Sequence, residues 1–109
     1  MISIEDFKKL DLRVGKITGV AVHEQAKKPM YIITVDLGEE IGARTIVAGI
    51  RDQYSAEELV GKLIVCIANL EPKVVAGIES QGMLLAAEDN GTIAVLTPSK
   101  EVRPGSKVS

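Results

Sequence analysis

With 109 residues, the chain is long enough for one domain around one hydrophobic core, and its 46% apolar content excludes a disordered polymer. Phe7, Tyr31 and Tyr54 are the only aromatic residues, which excludes a binding platform of several stacked rings. The net charge of −2 argues against holding phosphates by overall charge, while leaving local basic patches open.

In chain order, the first segment is SIEDFKKL. Ser3 suits an N-cap, Glu5 and Asp6 favour the positive end of a helix, and Ile4, Phe7 and Leu10 recur at helical spacing. A short amphipathic helix is predicted. LRVGKITGVAVHE then reads as a long strand in which Gly15 and Gly19 mark a bulge or bend. The loop QAKKP breaks the pattern. In MYIITVDLG, Tyr31, Ile33, Val35 and Leu37 alternate with more polar neighbours, as in a half-buried strand. GEEIG supplies a turn, and ARTIVAGI is a third strand able to form a hairpin with the second.

Ser55 and Glu58 form a capping box that starts a short helix. KLIVCIANL is apolar on both faces, as for a strand with core on one side and another cover opposite. The fifteen residues from Asn69 to Met83 form a polar, turn-rich insert. GMLLAA and TIAVLTP are predicted as the fifth and sixth strands around an EDNG turn. The tail KEVRPGSKV holds a Pro-Gly turn and a last apolar residue, Val108. Short strands with small helices between them predict an all-β fold, a five-stranded barrel of the oligonucleotide/oligosaccharide-binding kind. A β-sandwich competes but explains the helix before the fourth strand less well.

Catalytic chemistry finds little support. His23 is the only histidine and reads as a solvated residue at a strand end, with no nucleophile placed beside it in a local motif. Glu39, Glu40, Glu57 and Glu58 read as solvated pairs. GIESQG fits neither a phosphate loop nor a dinucleotide fingerprint. Cys66, alone in an apolar run, reads as a buried thiol, and no metal-ligand spacing surrounds it. No catalytic residue, metal or cofactor is expected. No apolar run approaches the ~20 residues of a membrane span and no signal peptide opens the chain, so a cytoplasmic location is expected.

The basic residues suggest more. Lys27 and Lys28 fall in the loop after the first strand, Arg44 opens the third, and Lys73 lies in the insert with Asn69, Ser80 and Gln81. In a barrel of this kind the first and fourth inter-strand loops flank the binding face, where polar groups can read an exposed base or ribose hydroxyl. The alternative is a set of solvated loops without a ligand.

These segments resemble a known family, the free-standing and appended tRNA-binding domains. The likeness runs through LDLRVGKI, HEQAKKPMY, VDLG, RTIVAGI, ANLEP and GIESQGMLLAA, nearly the whole chain. Asn69, Leu70, Pro72, Gly77, Ser80, Gly82 and Met83, in that order, are its most specific part. The family includes the C-terminal domain of bacterial methionyl-tRNA synthetases, a cytokine-like domain and a secretion-related chaperone.

The resemblance implies one OB-fold domain over residues 1–109 that binds tRNA by overall shape and pairs with a second copy. Lys28, Arg44, Asn69, Lys73, Ser80 and Met83 are the implied RNA contacts, with Met83 open to the alternative of a core side chain. Ile4, Phe7, Leu10, Val102 and Val108 are candidates for the dimer interface. Val74 and Ala76 stand where family members often carry basic residues, which implies weaker phosphate binding or a less charged ligand. The implied alternatives are a chaperone binding unfolded or exported peptides, and a detached tRNA-binding subunit of a methionyl-tRNA synthetase.

Overall fold

The computed structural model describes residues 1–109. Its elements are α1 (Ile4–Phe7), β1 (Leu12–Val22), β2 (Tyr31–Asp36), α2 (Gly38–Ile41), β3 (Ala43–Ala48), α3 (Ala56–Leu59), β4 (Leu63–Ile67), β5 (Lys73–Val75), β6 (Ile78–Ser80), β7 (Met83–Leu84), β8 (Ala86–Asp89), β9 (Thr92–Val95) and β10 (Lys107–Val108). The sheet runs β3-β2-β1-β4-β7, with β10 added to β1, and its pairings are antiparallel. Its end strands β3 and β7 approach each other, so the sheet is a nearly closed five-stranded barrel. The barrel reading of the sequence holds.

The long first strand serves two neighbours in turn. Its first half pairs with β4 (Leu12↔Ile67 to Lys16↔Leu63) and its second half with β2 (Lys16↔Asp36 to Val22↔Tyr31). The register shifts between Ile17 and Gly19, a bulge that bends the strand around the barrel. A side chain at Gly15 would run into Val35 and Leu37, so that position must stay small. The alternating residues of β2 do face inward: Ile33, Val35 and Leu37 are fully buried with Ile17, Ile46, Ile64 and Cys66. Leu59 of α3, also fully buried, belongs to the same core. Ser3 caps its helix and the capping box at Ser55 forms, both as expected, and Ser3 closes a capping box of its own with Asp6. The Ser55 backbone N–H and hydroxyl hold the Glu58 carboxyl below its ordinary pKa. GEEIG is a single helical turn, α2, rather than an open turn.

Burial pushes the Cys66 thiol up to about 12, so it stays protonated and unreactive. A thiol reagent should leave the native protein untouched at pH 8 and label it fully in denaturant. Fast labelling of the native state would contradict the burial.

Two features depart from the predicted strands. The region after the insert divides into β7, β8 and β9. The β8–β9 hairpin is clamped by Gln53, whose amide donates to the Gly91 carbonyl at 2.9 Å and accepts from the Ile93 N–H at 3.3 Å. The Tyr54 hydroxyl accepts from the Val95 N–H at 3.0 Å.

The insert itself is not an open loop. It folds into a second hairpin, β5–β6, with the register Lys73↔Ser80 to Val75↔Ile78. The two hairpins turn through the same backbone with different residues. Asn90-Gly91 and Ala76-Gly77 both have positive φ at both central positions, the pairing typical of tight two-residue turns. Asn tolerates the left-handed region and Ala does not. Ala76→Asn should therefore slow amide exchange in β5 and β6 by about three- to fivefold, the equivalent of about 0.7–1 kcal/mol. Unchanged or faster exchange would show that the turn is not strained.

Candidate nucleic-acid interface

The groove that concerns the insert opens at one side of the barrel and holds a volume of about 520 Å³. Hairpin β5–β6 contributes Lys73, Val75 and Ser80; Met30, Val47, Leu70, Glu71, Gly82 and Met83 complete the lining. It is a mixed surface. Lys73 and Glu71 bring opposite charges to it, and Met83, 47% exposed, presents an apolar side chain to solvent; Val74, 66% exposed, lies outside its lining.

Of the six residues singled out in the sequence, three line this groove and three do not. Lys73, Ser80 and Met83 line it. Lys28 is exposed in the loop 23–30, two positions from Met30. Met83 opens β7 at the rim, with its neighbour Leu84 taking the core position. Lys28, Lys73 and Met83 are thus the groups free to meet a ligand.

Ser80, Arg44 and Asn69 spend their polar atoms inside the chain. Ser80 is buried; its hydroxyl accepts from the Val47 N–H at 3.0 Å and donates to the Gly82 carbonyl at 3.3 Å, fastening the base of the hairpin to β3. Arg44 Nη1 donates to the Ala68 carbonyl at 3.1 Å and the Gln81 carbonyl at 3.4 Å, tying β3 to both ends of the insert. Gln81 joins the same seam: its N–H donates to the Thr45 carbonyl at 2.7 Å and its side-chain oxygen accepts from the Thr45 N–H at 3.0 Å. Asn69 accepts from the Asp11 N–H at 2.8 Å and donates to the Lys9 carbonyl at 2.7 Å, anchoring the segment before β1.

His23 overturns its reading as a solvated residue. It is 3% exposed, and its Nε2 lies 2.8 Å from the Val75 carbonyl oxygen. Position at a strand end suggested solvent; the neighbouring hairpin, distant in sequence, covers it. Arg13 is another cation withdrawn from the surface. It pairs with Asp11 at 2.6 Å and with Glu40 at 3.5 Å and donates to the Gly105 carbonyl, and Asp11 raises its pKa.

The rim is electrically balanced. Lys27, Lys28 and Lys73 are exposed, but so are Glu24, Glu71 and Glu79 on the same segments. No cluster of His, Cys, Asp and Glu has the geometry to hold a metal ion, and no helix is long and apolar enough to cross a membrane.

Comparison with known proteins places this arrangement. The family described as the putative tRNA-binding domain matches residues 12–107. The methionine–tRNA ligase of Pyrococcus horikoshii is 55% identical over 107 residues, which is 98% of this chain and 14% of that enzyme. The methionine–tRNA ligase of Archaeoglobus fulgidus is 50% identical over 107 residues, again 98% of this chain and 16% of the enzyme. The chain therefore spans about one-seventh of the length of such relatives. Among solved structures, the CsaA chaperone protein of Picrophilus torridus superimposes with a TM-score of 0.94 at 35% identity, covering 100% of both chains. The methionyl-tRNA-synthetase-related protein of Pyrococcus horikoshii gives 0.90 at 36% identity, covering 100% of this chain and 98% of that one.

Proposed function

Because the chain belongs to the putative tRNA-binding domain family, we propose that it is a non-catalytic, homodimeric module that grips tRNA by its folded shape. The observation that carries this reading is the groove: Leu70, Ser80, Gly82 and Met83, four of the seven residues most specific to the family, line it. Lys28 and Lys73 contact phosphates. Met83 and Met30, both lining the groove, offer an adaptable apolar surface to an unstacked base. Ser80, Arg44 and Asn69 act from within, holding the backbone that gives the groove its shape. No base-specific pairing is required, since the contacts are made to backbone and shape.

Titration of labelled tRNA at several salt concentrations tests the proposal. Saturable binding is expected. With Lys27, Lys28 and Lys73 as the free cations of the rim, log K should fall against log salt with a slope of only about −2 to −3 per protomer. Absence of saturable binding at low salt would overturn the reading.

Pairing of two copies rests on the termini. Ile4 is 60% exposed on a helix with no partner on its outer side, and Phe7, Leu10 and Val108 border a separate groove of about 320 Å³. Val102 lies elsewhere, beside Leu63 and Lys16. A second copy laid over the terminal groove covers Ile4. Light scattering should give about twice the protomer's 11.6 kDa at micromolar concentration, and a mass near 11.6 kDa would refute the dimer.

A second reading, binding of unfolded polypeptide, is favoured by the exposed Val74 and Met83 and by the likeness to the CsaA chaperone protein. Failure to suppress the aggregation of a denatured substrate would remove it. Association with a methionyl-tRNA synthetase that lacks such a domain is the corresponding partner proposal, tested by co-purification.

A further inference from the structure

His23 is joined to two segments that line the groove, the loop at Met30 and the hairpin at Val75. Its backbone N–H donates to the Met30 carbonyl at 3.0 Å, and its own carbonyl accepts from the Ala26 N–H at 3.3 Å, so the loop 23–30 closes around it. Its ring leaves the loop and reaches the Val75 carbonyl, at 2.8 Å and across 52 positions of sequence. A carbonyl only accepts, so Nε2 carries the proton and donates. Met30 and Val75 both line the groove.

The hairpin β5–β6 needs such a tie. It is a separate two-stranded sheet, outside the ladder of the barrel. An isolated two-stranded hairpin is marginal in water, and this one has strands of three residues and a left-handed Ala76 in its turn. Ser80 and Gln81 anchor its base to β3. Val75 lies at the opposite end, next to the turn, where the ring of His23 holds it. Gln25 of the same loop stands within van der Waals range of a side chain at Gly77, so loop and hairpin tip lie against each other.

We propose that His23 is a positioning residue of the groove: it latches the tip of hairpin β5–β6 to the loop 23–30 and so sets the distance between Met30 and Val75 and the direction of Lys73. Without the latch the hairpin pivots on Ser80. A ligand must then order it on binding, and the entropy of that ordering is subtracted from affinity. The binding consequence rests on the RNA reading given above; the latch itself does not.

The experiment compares wild type with His23→Ala, His23→Gln and His23→Asn by amide exchange of the free protein and by tRNA titration. In His23→Ala, exchange at β5 and β6 is expected to quicken by about five- to tenfold, the equivalent of one buried hydrogen bond, while amides of β1, β2 and β4 stay protected. Affinity for tRNA should weaken by about three- to tenfold. Glutamine places an N–H near the position of Nε2 and should restore both properties, whereas asparagine, whose amide reaches only as far as Nδ1, should not. That graded rescue separates the latch from simple loss of packing.

The protected barrel amides report whether each variant is folded; if His23→Ala loses them, the contrast between the glutamine and asparagine variants decides. Hairpin exchange in His23→Ala equal to wild type overturns the latch. Faster exchange with unchanged tRNA affinity overturns its role in the groove. If wild type shows no saturable tRNA binding, the RNA reading and the proposed role in its groove both fail, and hairpin exchange alone decides whether the latch exists.

Discussion

Replacing Gly82 with alanine lowers the stability of the barrel by about 3 kcal/mol or more. Two causes add. The backbone at Gly82 has φ +137°, a conformation open to glycine and costly for any other residue. A Cβ there would also lie 2.8 Å from the Ile67 carbonyl oxygen, and a backbone carbonyl in the barrel cannot swing aside as a side-chain end can. The clash falls where the insert returns to the barrel: Ile67 pairs with Met83, and Ser80 Oγ donates to the Gly82 carbonyl. Movement there loosens the junction of β4 and β7 and the base of the groove together.

Gly91→Ala is the control. It also has positive φ, at +85°, but nothing lies near its absent side chain, so only the backbone cost of about 1 kcal/mol applies. Urea denaturation of the two variants reads the difference as a shift in midpoint at constant slope. Equal losses would mean that the approach of residue 82 to Ile67 is not tight.

The double substitution Lys28→Glu, Lys73→Glu weakens tRNA binding by about 30-fold near physiological salt and flattens the salt dependence by about 1.5 in slope. Both side chains are exposed, neither forms an ion pair within the chain, and they project from the loop and the hairpin that bound the groove. Reversing them adds to Glu71 and Glu79 and turns a balanced rim acidic. Their exposure also means that folding is unaffected, so denaturation midpoints should stay within about 0.5 kcal/mol of wild type. Arg13→Gln serves as the contrasting case. Its guanidinium is held by Asp11, Glu40 and the Gly105 carbonyl, so its loss should act on stability rather than on the salt slope. Unchanged binding in the double variant would move the interface away from this groove.

Strong retention of binding to unfolded polypeptide by that variant would separate the two proposed activities. The proposed peptide association would draw on the exposed Val74, Met83 and Leu70, which the substitutions leave in place. Charge reversal removes the electrostatic attraction for RNA alone.

Much of the fold was legible because its causes are local. The alternation of Tyr31, Ile33, Val35 and Leu37 places every second residue on one face whatever the strand pairs with, and all four are buried. Ser3 and Ser55 cap their helices through groups three residues away. Gly19 marks the bulge, where the register shifts after Ile17. The short pieces β7 to β9 were harder to separate: β7 and β8 part at Leu85, whose backbone bonds to Val65 and Leu96, and Gln53 and Tyr54, some forty residues earlier, hold the β8–β9 hairpin.

By itself, the sequence determined the barrel and the helical turns after Ser3 and Ser55, because hydrophobic period, capping and glycine position act within a few residues; the family followed from the resemblance of its motifs. Tertiary structure alone decided what each polar side chain does there. Asn69 and Ser80 look alike in the sequence as hydrogen-bond formers, yet their partners, Lys9, Asp11 and Val47, lie 33 to 60 positions away. His23 is buried only because Val75 is folded over it. A polar group bonds to whatever the chain brings within 3 Å, and that neighbour is set by how distant strands close the barrel.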